Sequence, residues 1–457
     1  MNASHRIVVI GAGAAGTLAA VHLLERARRT GTGLDVRLVD DAGTAGRGVA
    51  YATADSRHRL NVPSGRMSAY PDRPHHFADW LAARLGGAPE PDAYAPRGLY
   101  GQYLADVLAA AARTSTGRLS RLRDRAVEVT EDGSRVRVGL RSGAGLEADA
   151  VVLALGTFPP PVSWAPAELR DSFRFVRDPW VAGALSGVPD DRDVLLVGTG
   201  LTMADVALTL ARPGRVVHAV SRHGLLPQAQ ADRLTAPVPP PPLKPQHGLA
   251  ALRRSLLCHA SAVRRSQGDW RPGIDGLRSI TANLWRELPA QDRERFLTED
   301  LRLWEVHRHR LAPASAAALQ AAMGAGRVAV GRAVVERAAE RPEGLRVALS
   351  DGRTLTVGKV VNCTGANGDY RQVADPLVRS LLVTGLARPG RHGLGLATAE
   401  DGRLTPADAA RPAPLWTLGA PRRGDLWETT AVPEIRAQAA LLADTLTRLP
   451  VRLPAGE

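Results

Sequence analysis

Residues 6–16 read Arg6-Ile-Val-Val-Ile-Gly11-Ala-Gly13-Ala-Ala-Gly16, an apolar run followed by three glycines in the spacing Gly-x-Gly-x-x-Gly. The apolar run predicts a buried strand, and the alanine- and leucine-rich residues 16–30 predict a helix. Glycines at these positions allow a tight turn, a close backbone approach to a pyrophosphate and close packing of the helix on the strand. A second predicted strand, 35–40, ends in Asp40, whose carboxylate can accept hydrogen bonds from ribose hydroxyls. The stretch therefore predicts a dinucleotide site.

The same plan recurs further along the chain. Residues 193–197 predict a strand, Gly198-Thr-Gly200-Leu-Thr-Met203 a turn, 202–211 a helix and 215–220 the next strand. Two β-rich stretches, 123–155 and 327–362, each close with a buried strand and a glycine, at Gly156 and Gly365. Two copies of one plan are a stronger signal than either glycine motif alone. They predict an α/β protein with two Rossmann-like units.

The second turn departs from the first in two ways. Met203 stands where a third glycine would be, so we expect its helix to pack slightly farther from the strand. Ser221-Arg222 follow the strand 215–220, where the first copy has an acidic residue. A hydroxyl and a guanidinium suit a 2′-phosphate, which a carboxylate would repel. We therefore expect NADPH at this turn, bound by Gly198, Gly200, Leu201, Thr202, Ser221 and Arg222.

Composition excludes several classes of protein. The net charge is +13, but only two of the 59 basic residues are lysines and the arginines are spread along the chain, which argues against nucleic-acid binding. We see no signal peptide and no apolar run of membrane-spanning length, so we expect a cytoplasmic protein without membrane contact. Cys258 and Cys363 are too far apart in sequence for a CxxC dithiol, and we expect both to be buried.

The sequence resembles the two-dinucleotide-domain flavoproteins. More narrowly, it resembles the bacterial FAD/NAD(P)-binding family related to class B flavin monooxygenases and N-hydroxylases. The matching stretches cover nearly the whole chain and are Gly46-Arg-Gly48-Val-Ala-Tyr51, Leu60-Asn-Val-Pro-Ser-Gly-Arg-Met67, Pro96-Arg-Gly-Leu-Tyr-Gly-Gln-Tyr-Leu104, Gly198-Thr-Gly-Leu-Thr-Met-Ala-Asp205, Trp304-Glu-Val-His-Arg-His-Arg310 and Leu426-Trp-Glu-Thr-Thr-Ala-Val-Pro-Glu-Ile-Arg436.

The resemblance implies a glutathione-reductase-type arrangement with FAD at the first turn. An FAD-binding domain would comprise 1–160 and 366–457, and an NADPH-binding domain 186–365. A helical cap, 228–322, would be inserted in the latter.

The resemblance also implies FAD contacts at Gly48, Asn61 and Met67. It places the N-terminus of the last helix, near Ala431 to Glu434, at the pyrimidine edge of the flavin, where a helix N-terminus would stabilise negative charge. We assign five further residues to the cofactor sites, namely Ala15, Val127, Gly156, Gly365 and Thr429.

Three residues are candidates for catalysis. Arg308 and His309 could bind a substrate carboxylate or a phosphate, and Glu428 could accept a substrate proton or an amine. Equally, the basic pair could be a favourable helix end before Pro313, and Glu428 a capping acid. His307 and His309 are two positions apart with no third ligand nearby, so we expect no metal site. We expect Asp205 to be structural.

The functional hypothesis is an FAD-dependent monooxygenase that consumes NADPH and O₂ and oxygenates a small polar substrate. N-hydroxylation of an amine or amino acid in natural-product biosynthesis is favoured by the resemblance. Two alternatives stay open, namely an FAD/NAD(P)H oxidoreductase without oxygen insertion and a non-catalytic nucleotide sensor. The oligomeric state is not determined by the sequence.

Overall fold

The computed structural model describes residues 4–132, 135–189, 191–408 and 411–449. Its first part alternates buried strands with helices that cover them. In chain order these elements are β1 (His5–Ile10), α1 (Ala14–Thr30), β2 (Leu34–Val39), α2 (Gly48–Tyr51), α3 (His76–Leu85), α4 (Arg97–Thr114), β3 (Arg118–Leu122), β4 (Ala126–Asp132), β5 (Arg135–Leu140), β6 (Gly145–Ala148) and β7 (Ala150–Leu153).

The middle of the chain starts a second sheet and then leaves it for a helical insertion. The first elements are α5 (Ala167–Arg170), β8 (Phe175–Val176), β9 (Val194–Val197), α6 (Leu201–Leu210) and β10 (Val217–Ser221). A proline-rich loop leads into the insertion, which we call the cap. Its helices are α7 (Leu249–Gln267), α8 (Arg271–Asp275), α9 (Thr281–Glu287), α10 (Ala290–Arg295), a π-helical stretch (Phe296–Asp300), α11 (Leu301–Arg308) and α12 (Pro313–Gly324).

The last part completes both sheets. Its elements are β11 (Val328–Arg332), β12 (Val335–Arg341), β13 (Gly344–Leu349), β14 (Thr354–Val357), β15 (Lys359–Asn362), α13 (Pro376–Val383), β16 (Leu415–Thr417), α14 (Arg423–Leu426) and α15 (Val432–Leu446). Pro433 lies in the first turn of α15, where its missing N–H costs no helical hydrogen bond.

The two parallel sheets share the order and direction of four strands, and each has a fifth strand that enters from a different part of the chain. The order in one is β3-β2-β1-β7-β16 and in the other β11-β10-β9-β15-β8, and all neighbours are parallel. Each sheet is accompanied by a three-stranded antiparallel meander, β4-β5-β6 or β12-β13-β14. The predicted α/β fold with two Rossmann-like units is therefore confirmed.

The edge strands come from unexpected parts of the chain. β8 belongs to the second sheet, although it lies before residue 186, the predicted start of that unit. The sequence did not reveal this strand because two residues carry too little pattern to be recognised. β16 returns to the first sheet from near the C-terminal end.

The expectation that both cysteines are buried was wrong for Cys258. Its side chain is exposed on the surface helix α7, whereas Cys363 is buried after β15.

The first glycine of each turn is packed against backbone. Gly11 has a φ of +97° and Gly198 a φ of +110°. A Cβ at Gly11 would overlap the Ala154 carbonyl oxygen, and one at Gly198 that of Cys363. Ala154 follows β7 and Cys363 follows β15, so the contact is equivalent in the two units. It brings the nucleotide turn directly against the closing strand of each sheet.

A buried polar network joins the two units. The Arg97 guanidinium of α4 lies 2.9 Å from the Asp205 carboxylate of α6 and also 4.8 Å from the centre of the Trp180 ring. Burial raises the pKa of Asp205 to about 6, and Arg97 opposes that rise. The ring of His58 contacts the Thr209 hydroxyl at 2.8 Å. Asp205 thus has the structural position expected from the sequence.

We predict that Gly198→Ala lowers the free energy of unfolding by at least about 3 kcal/mol, since it combines left-handed strain of about 1–3 kcal/mol with an overlap against backbone. Gly214→Ala is the matched control, because Gly214 also has a positive φ (+78°) but open space around its Cβ position. Urea unfolding followed by circular dichroism measures both. Equal losses in the two variants would contradict the packing argument.

Candidate functional site

The first turn has the properties of a pyrophosphate site. Gly13 caps α1 without a side-chain hydrogen bond to the free N–H groups of the helix, which are the groups that bind phosphates. Gly48, with a φ of +51°, approaches it so closely that a Cβ there would lie 3.0 Å from the Gly13 Cα. At Gly16 a Cβ would overlap the Gly11 carbonyl oxygen. These four glycines leave the backbone bare where FAD would bind.

The Asp40 carboxylate is fixed at the same turn. Its Oδ2 accepts a hydrogen bond from Ala12 N at 2.7 Å, and its Oδ1 accepts one from Ala42 N at 2.9 Å. Each oxygen keeps a lone pair that can accept from a ribose hydroxyl. The structure therefore places Asp40 against Ala12 and Gly48 against Gly13, so that both lie at the first glycine turn.

The other predicted FAD residues are more scattered. Val127 lies in a β-bulge, since Ala126 pairs with Leu140 while Glu128 pairs with Gly139, so its backbone is outside the ladder. Ala15 and Met67 are buried in the core of the first unit. The remaining positions are partly exposed; they are Asn61, Gly156 and Gly365, the two glycines having positive φ angles.

An arginine of the cap lies over the second turn. Arg302 of α11 donates from Nη2 to the carbonyl oxygens of Thr199 (2.9 Å) and Leu225 (2.6 Å). Gly200 caps α6 here, followed by Leu201 and Thr202, and the position of a Gly200 Cβ is 3.7 Å from Arg302 Nη1. Sequence reasoning missed Arg302 because it is a hundred residues away from the turn.

Two exposed arginines stand at the ends of neighbouring strands of the second sheet. Arg222 follows β10, and Arg332 ends β11 and donates from Nε to the Arg222 carbonyl oxygen at 3.1 Å. The Ser221 hydroxyl is held by Thr199 (2.8 Å) and by Gly224 N (3.0 Å). The Arg332 side chain is thus anchored to the backbone of Arg222, while the Ser221 hydroxyl shapes the turn.

The three catalytic candidates meet where the cap touches the segment before α15. Arg308 donates from Nε (3.1 Å) and Nη2 (2.7 Å) to a single oxygen of Glu428, Oε2. The two side chains are only 11% and 9% exposed. The other oxygen, Glu428 Oε1, is buried and has no hydrogen-bond donor among the described residues. A buried acceptor without a donor is costly, so this oxygen suits an incoming N–H or O–H.

His309 lies beside this pair in a strongly positive environment. Burial is the main cause that lowers the pKa of His309 to about 3, followed by the charges of Arg308, Arg423, Arg278 and Arg310. Arg423 lies 3.8 Å from Glu305 and 4.7 Å from the centre of the Trp427 ring. His309 is therefore a neutral imidazole at physiological pH. These contacts agree both with a structural helix end at 304–310 and with a functional site there.

Two predicted cofactor residues have their side chains engaged elsewhere. Both oxygens of Glu434 accept from Arg278 of the cap, at 2.6 and 2.7 Å, so its carboxylate is held by a cation rather than free for a cofactor. The Thr429 hydroxyl donates to Gly419 O (3.1 Å) and accepts from Gln438 (2.7 Å). If this segment contacts a flavin, as the resemblance implies, the groups free to do so are those of the backbone around Ala431, the N-cap of α15.

No cluster of three potential metal ligands exists within the part of the chain that the structure describes, which includes His307 and His309. The helices described there also include none that is long and apolar enough to cross a bilayer.

The fold and the first turn agree with known proteins. Residues 8–158 match the model of a family described as FAD-NAD(P)-binding. Similar solved structures include the ornithine hydroxylase from Pseudomonas aeruginosa (TM-score 0.63, 16% identity, covering 97% of this chain and 99% of the other). The ornithine N-hydroxylase from Kutzneria sp. 744 (0.64, 15%) and the L-lysine 6-monooxygenase from Pseudomonas syringae (0.63, 17%) have the same coverage.

The chain has the fold of two-dinucleotide-domain flavoenzymes. The predicted resemblance is confirmed at the level of the fold. No curated protein matches the chain significantly by sequence.

We predict that Arg308→Met destabilises the protein by about 3–5 kcal/mol, because it leaves the Glu428 carboxylate buried without its cation. The double variant Arg308→Met/Glu428→Gln should recover most of that loss, since no charge stays buried. The exposed pair Arg371–Asp369, at 2.8 Å, is the control, and Arg371→Met should change stability by less than about 1 kcal/mol. A double-mutant cycle by urea unfolding measures these values, and additive losses would contradict the pairing.

Proposed function

We propose that this protein is an FAD-dependent, NADPH-consuming monooxygenase that hydroxylates the amine nitrogen of a small substrate. Three features support the two cofactors: the duplicated dinucleotide fold, the match of 8–158 to an FAD-NAD(P)-binding family, and the glycine turn with Asp40. By their titles, the solved structures named above are an ornithine hydroxylase, an ornithine N-hydroxylase and an L-lysine 6-monooxygenase, and our choice of nitrogen as the atom oxygenated follows the second of them.

The observation that carries the proposal is the Arg308–Glu428 pair with its free acceptor, Glu428 Oε1, at the junction of cap and closing segment. An amine must be neutral for its nitrogen lone pair to take up oxygen. Burial and the nearby arginine charges together lower the pKa of His309 to about 3, and both would also disfavour an ammonium ion bound beside it. Glu428 Oε1 would then accept an N–H of the neutral amine and orient its lone pair.

When bound, FAD supplies the redox and oxygen chemistry, with O₂ as the co-substrate. The residues of this chain orient the substrate and limit water around it. The partly exposed N-terminus of α15 at Ala431 offers backbone N–H groups to negative charge. The buried Arg308–Glu428 pair closes the junction and keeps the amine acceptor away from solvent.

We predict that the FAD-loaded protein consumes NADPH and O₂ and adds one oxygen atom to a primary amine, detected by mass spectrometry. Glu428→Gln should lower kcat/KM for the amine about 10- to 100-fold, the value of a hydrogen bond to a charged group. Its FAD content and its anaerobic oxidation of NADPH should stay unchanged. Glu294→Gln, an exposed position of α10, is the control. NADPH oxidation that yields only hydrogen peroxide across a panel of amines would instead support an oxidoreductase without oxygen insertion.

We further predict that Arg222→Ala and Arg332→Ala each weaken NADPH about 10-fold or more while changing the affinity for NADH less than about threefold. The reason is that each variant would lose a charged hydrogen bond that only the 2′-phosphate makes. Arg341→Ala is the control, because the hydrogen bond of that exposed side chain within the described part of the chain goes to the neighbouring Glu340 carbonyl oxygen. Stopped-flow titration of anaerobic flavin reduction gives both dissociation constants. Equal losses for the two nucleotides would refute the 2′-phosphate assignment.

A further inference from the structure

The junction of the cap and the closing segment carries an excess of positive charge. After burial, the main charges that lower the pKa of the His309 ring are cations, namely those of Arg308, Arg423, Arg278 and Arg310. Three of these arginines have an acid within 2.7 Å, whereas the acid nearest to Arg423 lies 3.8 Å away. A molecule bound beside His309 would therefore be favoured by a negative charge of its own.

The Arg423 side chain is accessible at this junction. Its Nη2 lies 3.8 Å from Glu305 Oε1, which is too far for a hydrogen bond, and Arg302 is equally far from the other oxygen of that carboxylate. The guanidinium carbon stands 4.7 Å from the centre of the Trp427 ring, and the side chain is 31% exposed. This guanidinium makes no hydrogen bond to any residue that the structure describes. Its N–H groups are thus available to a ligand.

The His309 ring is the second accessible donor. His309 caps the C-terminal end of α11, and its backbone N–H donates to the Glu305 carbonyl oxygen at 2.8 Å. The ring nitrogens have no hydrogen-bond partner within the described ranges of the chain. Since burial and the arginine charges keep the ring neutral, it has one N–H to donate. Glu305 connects the two donors, because its backbone holds His309 and its side chain faces Arg423.

A guanidinium and a neutral N–H together suit a carboxylate. The fork of an arginine can donate to both oxygens of a carboxylate, and such charge-assisted hydrogen bonds are among the strongest in proteins. An ammonium group has no comparable place here. Glu428 Oε1 is already assigned to the reacting amine by the proposed function, and Glu305 lies between two arginines. A second ammonium would therefore be bound among cations, which disfavour it.

We propose that Arg423 and His309 bind a carboxylate of the substrate, and that the substrate is an amino carboxylate without a second ammonium group. This inference rests on the proposed function for the identity of the reacting amine. The carboxylate accepts from the Arg423 guanidinium and from the His309 ring, and it neutralises the excess charge of the junction. Diamines and amino acids with two amines are thereby excluded.

The test measures binding without turnover, on the full-length FAD-loaded protein in the absence of NADPH. Butanoate and butylamine, which carry one charged group each, are titrated by calorimetry at neutral pH. We expect butanoate to bind at least about 10-fold more tightly, and Arg423→Met to weaken butanoate at least about 10-fold. Glu305 keeps Arg302 at 3.8 Å in that variant. Arg379→Met, the same change at an exposed position of α13, should leave the binding of butanoate within about twofold.

A second variant keeps the test decisive if Arg423→Met does not fold. His309→Phe removes the ring nitrogens but keeps an aromatic ring, so it should weaken butanoate at least about fivefold while the FAD content stays unchanged. Butylamine bound as tightly as butanoate would overturn the inference. An affinity for butanoate that neither variant changes would also overturn it.

NADP⁺ distinguishes a carboxylate of the substrate from a phosphate of the nucleotide as the anion bound here. We expect Arg423→Met to change the affinity for NADP⁺ less than about threefold, because the variant removes no contact to that nucleotide. Equal losses of affinity for NADP⁺ and for butanoate would assign the two residues to the nucleotide and contradict the inference.

Activity assays separate this inference from the proposed function. Binding of butanoate that depends on Arg423, with no oxygenated product from any amine, would support the carboxylate site and overturn the reaction. Oxygenation of 1,4-diaminobutane with kcat/KM equal to or above that of 4-aminobutanoate would support the reaction and overturn the substrate class.

Discussion

The position of the cap depends on buried contacts between arginines of the cap and acids of the closing segment. Arg308 binds Glu428, which lies just before α15, and Arg278 binds Glu434, which lies in the first turn of α15. Burying an ion pair brings little net stability, but separating its members is costly, so such pairs specify one arrangement among several. A third arginine, Arg302, ties the cap to the second nucleotide turn. The cap is thus fixed to both units, and the site between them inherits its shape from these contacts.

The two halves of the molecule share a framework but not a charge pattern. In each, a glycine with positive φ is packed on the residue that follows the closing strand. The first unit then adds a third glycine and a carboxylate at the turn, whereas the second has a buried methionine, Met203, and arginines around the turn. The two turns therefore share one backbone arrangement but differ in the charge of the side chains around it.

Much of the fold could be predicted from the sequence because the signals that specify it lie in short stretches of the chain. The glycine spacing, the apolar strands and the repeat of the plan identify both units, and the closing segment identifies Glu428. What could not be predicted depends on long-range contact. Arg278, Arg302 and Arg423 are indistinguishable in sequence from the many surface arginines, and only the folded cap shows which acids or carbonyl groups they reach. Glu434 was expected at a cofactor, but the same local pattern is equally suited to an ion pair. The exposure of Cys258 depends on which face of α7 is buried, and that follows from the packing of the cap.

The origin of the edge strands has a consequence for the order of folding during synthesis. The second sheet takes β8 from just before its own first strand, so all five of its strands have been synthesised once β15 is complete. The first sheet begins at β1 but lacks its edge until β16, more than 250 residues after the strand β7 beside it. Helix α15, which covers α1 in the same core, is synthesised later still. The unit that begins first on the ribosome is therefore the last to be closed, and its exposed edge must wait for the rest of the chain.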